Sequence, residues 1–328
     1  MPWDNQQDSE NPGSGKGNFM LTRETFVGPW AGLPVAWTEK DQFDEDTYRS
    51  DVDRCCRAGI PGVYTGGTTG EFYAMELEEF RAVAKATVEQ CSAHGVPCMI
   101  GCTSTHTLGV LRRASYAVGI GADAIQVALP FWLEMGDDLV VPFFREVASA
   151  TGGVAISIYE TLRAKKALTV DQHRAIKDVA PSYLMVKSNA DTVGATPEGC
   201  RTLAEFVNVF VGENKLASLG PLGARGSCSS VVYWNPKVVL GMWEELKSNQ
   251  WDALTASCRK LTDLIDFLLA EFGPRGFTDS AFDRLGGVAG GFLKTSLRCR
   301  RPYPHATPDD VAKLRAWYRR NFKEMLDL

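Results

Sequence analysis

The 328 residues carry 35 Lys+Arg against 40 Asp+Glu, a formal charge of −5, with 45% hydrophobic and 23% charged residues. That balance excludes a disordered chain, a collagen and a disulfide scaffold, and it offers no basic field to nucleic acid or an anionic membrane. No apolar run reaches the roughly 18–20 residues that span a bilayer, and the opening segment lacks the basic and apolar regions of a secretory leader, so a soluble, cytoplasmic protein is expected.

Residues 1–24, polar and rich in Gly and Ser, read as a flexible tail. Short apolar runs then alternate with amphipathic stretches. The runs cover 32–37, 61–66, 97–102, 124–129, 154–159, 183–187, 207–212 and, more weakly, 226–232. Each is apolar nearly throughout, as suits a parallel strand buried on both faces. Helices are expected from Asp44 to Arg57, from Leu77 to His94 with a stop at Gly95, from Leu108 to Val118, and from Thr169, its cap, to Val179. Eight such units over 25–236 predict a (β/α)8 TIM barrel, an α/β fold, in preference to a doubly wound open sheet. Beyond Pro236 the strand signal vanishes. Residues 237–328 read as a C-terminal helical extension, with two helices over 237–272 and one each over 287–299 and 308–326.

The nine Cys are scattered without a CxxC, and none of the four His has ligand spacing. Free thiols, no metal and no cofactor are therefore expected. In such a barrel, chemistry belongs at the C-terminal strand ends. Strand 2 ends in a Gly-rich segment, 64–71, whose Thr68 and Thr69 offer hydroxyls to an anion such as a carboxylate, unless it is simply a tight turn. Strand 5 ends at Tyr159, a proton relay or a plug of the top layer. Strand 6 ends at Lys187, which by alternation shares a face with Met185 and Tyr183. Desolvation there would lower its pKa and leave an amine able to attack a carbonyl; a strand-end lysine reaching solvent is the alternative. Lys165 and Lys166 read as solvated surface.

Together, the GlyThrThrGlyGlu run at 67–71, Tyr159 and Lys187 resemble the dihydrodipicolinate synthase / N-acetylneuraminate lyase family, class I Schiff-base aldolases and lyases acting on pyruvate or other 2-oxo acids. The resemblance runs from about Gly28 to the C-terminus and includes segments 101–104, 128–131, 211–214 and 223–227. It implies that Lys187 forms an imine with the substrate, that Tyr159 shuttles protons, and that Thr68 belongs to the hydroxyl relay. Thr69 would hold the substrate carboxylate, with Gly67, Trp132, Arg163 and Ser227 as further substrate-binding candidates. An aldehyde is the implied second partner, and a homo-oligomer, tetramer or dimer, the implied assembly.

The departures bear on the substrate. Trp132 stands where the biosynthetic synthase has a relay Tyr from a neighbouring subunit, and an indole N–H cannot exchange a proton that way. This loop and the opening segment 21–30 look more like the hydratase-aldolases, although those carry a Phe where this chain has Thr69. The family's TyrAsnXaaPro after strand 5 is TyrGluThrLeu here, so Arg163 reaches the synthase's aldehyde-carboxylate position only across a gap. Phe72 and Tyr73 do not resemble a lysine-inhibition site. Three branches stay open: a sugar-acid aldolase or dehydratase, a hydratase-aldolase for aromatic substrates, and a divergent synthase. Aromatic residues lining a wide mouth would favour the second, free polar donors the first. A non-catalytic 2-oxo-acid-binding barrel and a metal-dependent class II aldolase are the readings from other classes, the latter lacking ligands at the strand ends.

Overall fold

The computed structural model describes residues 20–328, so positions 1–19 of the expected tail lie outside the described residues. Eight parallel strands close into a barrel in sequence order: β1 (Gly28–Gly32), β2 (Gly62–Thr65), β3 (Cys98–Gly101), β4 (Ala124–Val127), β5 (Ala155–Glu160), β6 (Tyr183–Ser188), β7 (Asn208–Phe210) and β8 (Ala224–Ser229). A helix follows each strand: α1 (Glu45–Arg57), α2 (Leu77–His94), α3 (Thr107–Gly119), α4 (Asp137–Thr151), α5 (Val170–Val179), α6 (Pro197–Leu203) and two single turns, α7 (Leu216–Leu219) and α8 (Val231–Trp234). The caps follow the sequence signals. Gly95 ends α2 at φ 64°, and the Thr169 hydroxyl accepts from the Gln172 N–H at 3.2 Å to start α5.

Outward side chains such as Val63, Ile100, Ile125, Ile156 and Val186 join the large core under the helices. Inward ones, Trp30, Tyr64, Met99, Ala124, Met185 and Phe210, form a separate core within the barrel. Leu21 and Phe26 complete that inner core from below. The turn that carries them is fastened by the Asn208 amide, which donates to the Arg23 and Phe26 carbonyls at 2.7 and 2.8 Å.

Three local expectations need correction. The first strand is Gly28–Gly32, not 32–37. Residues 33–37 are as buried as a strand, but beneath the C-terminal segments rather than in the ladder, and an apolar run reports burial without reporting its partner. In β6 the pairing passes from Ile156–Tyr183 to Ser157–Met185 and skips Leu184. Tyr183 therefore does not share the face of Lys187; it belongs to the outer core, where its hydroxyl meets His173 Nδ1 at 2.8 Å. A buried phenol needs such a partner, and the bulge supplies the rotation that reaches it.

The third correction concerns the extension, which consists of α9 (Pro236–Lys247), α10 (Trp251–Phe272), α11 (Asp279–Gly290) and α12 (Pro308–Asn321). The helix expected over 287–299 is α11, eight residues earlier; Gly291, at φ 89°, ends it. Two glycines of α11 pack directly on Trp234, so their spacing marks a close helix approach rather than a helix start.

Candidate active site

The segment after β2 bends tightly over the barrel mouth. Gly66 lies at φ 76° with its α-carbon against the Gly101 backbone, and a Cβ on Gly67 would land on the Tyr64 hydroxyl. Only hydrogen fits at either place, and the result is that Thr68 and Thr69 stand at the rim. The Thr68 hydroxyl meets the Tyr159 hydroxyl at 3.2 Å; both residues are buried.

Lys187, at the end of β6, pairs in register with Tyr159 of β5. Its Nζ lies 3.9 Å from the centre of the Tyr159 ring and 5.4 Å from that of Tyr64. Burial by itself presses the ammonium toward its neutral form. Tyr159, Tyr64, the Cys228 thiol and Asp279 outweigh that pressure and hold the pKa above the ordinary lysine value. Desolvation alone would lower it, and the direction here is the reverse; separately, the two ring faces offer a favourable contact to a cation at Nζ. Beneath it, the Gln126 amide donates to Ser157 Oγ at 3.0 Å, a polar floor inside an otherwise apolar barrel.

Thr69 is turned away from the Thr68–Tyr159 pair. Its hydroxyl donates to Asp283 Oδ2 of α11 at 2.5 Å. The same helix fastens the loop twice more. Ser280 Oγ donates to the Thr68 and Thr69 carbonyls at 3.0 and 3.2 Å, and the fully buried Arg284 pairs with the fully buried Glu71 at 2.5 Å. Glu71 also accepts from Trp37 Nε1 at 2.6 Å and from the Arg300 N–H at 2.8 Å. The helical extension is therefore part of the site's wall.

A cavity of about 270 Å³ opens at this rim, lined by Thr68, Tyr159 and the rings of Phe72, Tyr73, Phe131 and Tyr303, with Arg163 among its other wall residues. Phe72 stands edge-on to Phe131 at 5.7 Å, and Tyr73 to Tyr303 at 5.0 Å. Three sequence candidates sit otherwise than expected. Trp132 is outside the wall, its side chain 73% exposed and its carbonyl accepting from Lys165 Nζ at 2.6 Å; Phe131 takes the wall position. Arg163 reaches the wall, but both ends of its fork are held by Asp279 at 3.0 Å. Ser227 pairs with Pro29, one residue out of phase with the inward Cys228, so it faces away from the interior. Lys187 is not a wall residue; Tyr159 and Thr68 join it to the cavity. Among the described residues, no group of three or more His, Cys, Asp or Glu is placed to hold a metal ion, and no helix is long and apolar enough to cross a membrane.

Residues 26–317 match the dihydrodipicolinate synthetase family. The chain belongs to that family. Among its relatives, the trans-o-hydroxybenzylidenepyruvate hydratase-aldolase of Pseudomonas putida is 31% identical over 153 residues, 44% of this chain and 46% of that protein. The matched region thus spans about half the length of this curated relative. An uncharacterized DapA-like lyase of Halobacterium salinarum is 24% identical over 264 residues, 80% of this chain and 86% of its own. Among solved structures, YagE, a prophage protein of Escherichia coli K12 in complex with pyruvate, superposes with a TM-score of 0.81 at 19% identity, covering 90% of this chain and 98% of that one. The sialic acid aldolase of Ruminococcus gnavus gives 0.80 at 16% identity over 92% and 99% of the two chains. These likenesses carry the fold.

Tyr64 and Cys228, beside Lys187, and Asp283, bonded to Thr69, were not singled out from the sequence. For Asp283 a signal existed: an Asp–Arg pair at 283–284 amid the apolar and glycine positions of α11. Charges on a buried helix face must find partners.

Proposed function

We propose that this family member is a class I aldolase or lyase in which Lys187 forms an imine with a 2-oxo acid, pyruvate being product or co-substrate. The observation that carries the reading is the position of Lys187 Nζ over the ring of Tyr159, whose hydroxyl meets Thr68 at the cavity wall. The amine gives up its proton and attacks the C2 carbonyl, whose oxygen leaves as water after protonation through Tyr159. The protonated imine then accepts the electron pair of the C3–C4 bond as the bond breaks, while the C4 hydroxyl passes its proton to Tyr159 and an aldehyde departs. Protonation of the enamine at C3 and hydrolysis release pyruvate and free Lys187. The chemistry needs no cofactor.

The aromatic branch is the one we favour for the aldehyde half. Five aromatic residues around the cavity, Phe72, Tyr73, Phe131, Tyr159 and Tyr303, offer edges and faces to an aryl group, and this weighs more in our reading than the hydroxyls of Thr68, Thr103, Thr161 and Thr278 on the same wall. The likeness to a hydratase-aldolase supports the same branch. A cytosolic setting agrees with nine free thiols. Borohydride reduction in the presence of pyruvate, followed by peptide mapping, should place a pyruvyl adduct on Lys187, and Lys187→Ala should abolish both adduct and turnover. An adduct on another lysine rejects the reading. A preference for polyhydroxy aldehydes over aryl aldehydes in pyruvate condensation rejects the aromatic branch.

A further inference from the structure

We propose that Asp283 is a positioning residue that must take up a proton before Thr69 can hold the carboxylate of a 2-oxo acid, so that substrate binding draws a proton from solution. The inference deepens the reading above and rests on it, together with the carboxylate-holding role that the family resemblance implies for Thr69.

The geometry is a conflict between acceptors. A hydroxyl carries one proton, and Thr69 donates its proton to Asp283 at 2.5 Å. A substrate carboxylate has only acceptors to offer, so while Asp283 is ionised it competes with the ligand for that single donor and repels it by like charge. Once Asp283 is protonated, its own O–H can donate to Thr69 Oγ1, and the threonine proton is free to turn to the ligand. The contact joins residues 214 positions apart, and Asp283 is 8% exposed.

The surroundings keep the acid poised for this exchange. Asp279 faces it from its own helix and Glu213 from the turn after β7, both lining the cavity of about 250 Å³ on its far side. Tyr233 faces it from α8 and Cys299 from the segment after α11, while Lys187 of β6 supplies an opposing positive charge. Burial pushes the carboxyl up most strongly and Asp279 adds to it; Thr69, Ser230 and Lys187 pull it down, and the balance is pushed up to about 7.

Calorimetry of pyruvate binding, in paired buffers of different ionisation enthalpy, counts the protons taken up. The wild type should take up almost none at pH 6 and approach one at pH 8, with Kd rising about tenfold per pH unit above the midpoint. Asp283→Asn should bind without proton uptake and with a flat profile. Binding with no uptake at pH 8, or an uptake unchanged in a folded Asp283→Asn, overturns the inference while leaving the imine reading intact. The wild-type count decides the matter even if the variant does not fold. Failure to bind pyruvate at any pH, with no borohydride adduct, overturns the imine reading and this linkage with it.

Discussion

Three contacts converge on Tyr159: the Thr68 hydroxyl, the Lys187 cation over its ring, and the cavity it helps to line. Removing only its oxygen keeps the ring and the cation contact and deletes the proton path. Tyr159→Phe should therefore lower kcat by about 10²–10⁴ while costing no more than about 1 kcal/mol of stability. Steady-state kinetics and urea titration on the same preparation check both halves; a kcat within threefold of wild type would remove the phenol from the mechanism. Lys187 yields a prediction with the opposite pH sign to that of Asp283. Its raised pKa leaves a small free-amine fraction near neutrality. At saturating pyruvate, adduct trapping should thus accelerate about tenfold per pH unit through the neutral range. Half-saturation, governed by Asp283, should meanwhile move to higher pyruvate. A trapping rate flat from pH 6 to 8 would mean that the amine is already neutral at rest.

At the scale of elements, the junction of the β2 loop with α11 decides whether the rim exists. Glu71 sits at φ 55°, a left-handed conformation costly for a side-chain-bearing residue, and it is held there by Trp37, Arg284 and the Arg300 N–H. Deleting the guanidinium strands a buried carboxylate. Arg284→Met should cost about 3–5 kcal/mol in urea unfolding and loosen Thr68 and Thr69 with it. A loss under 1 kcal/mol would show the pair to be dispensable. This junction also marks the boundary of what was legible beforehand. The barrel could be read because eight apolar runs and their Gly stops are local signals, and Lys187 because a lone cation ending such a run is conspicuous. Lys187 keeps the face of Met185, and only Tyr183 leaves it, because the bulge at Leu184 lies below Met185. The shift of β1 and the partners of Asp283 and Arg284 are tertiary facts: burial under distant segments looks the same in sequence as burial in a sheet. Resemblance singles out Trp132 at a loop position, whereas its neighbour in the loop, Phe131, is the residue that lines the cavity.

Across the whole molecule, two groups of carboxylates set opposing pH dependences. Asp51, 1% exposed, accepts from the Lys294 and Thr295 N–H groups at 2.7 and 2.8 Å and so ties α1 to the segment after α11. Burial outweighs those bonds and pushes its carboxyl up to about 6, as burial does for Asp283 at about 7. Between the ordinary carboxylate value and these raised values, the folded state holds protons that the unfolded chain has released. Stability must therefore fall as pH rises through that window, for Asp51 alone by an amount on the order of 2–3 kcal/mol. Asp310 and Glu324 act in the other direction. Burial alone would raise Asp310, but its bonds to Arg275 and Thr307 outweigh it, and Lys260 lowers Glu324, so their contributions are lost as pH falls through their depressed values. The two trends meet on the acid side of neutrality, and urea unfolding should show maximum stability there rather than at pH 7–8. Asp51→Asn keeps an acceptor for one backbone N–H and cannot ionise, so it should flatten the slope between pH 5 and 7 even if it lowers stability throughout. A stability profile that rises steadily from pH 5 to 8 would mean that these buried acids are ionised at no cost, and with that the proton exchange at Thr69 would lose its physical basis.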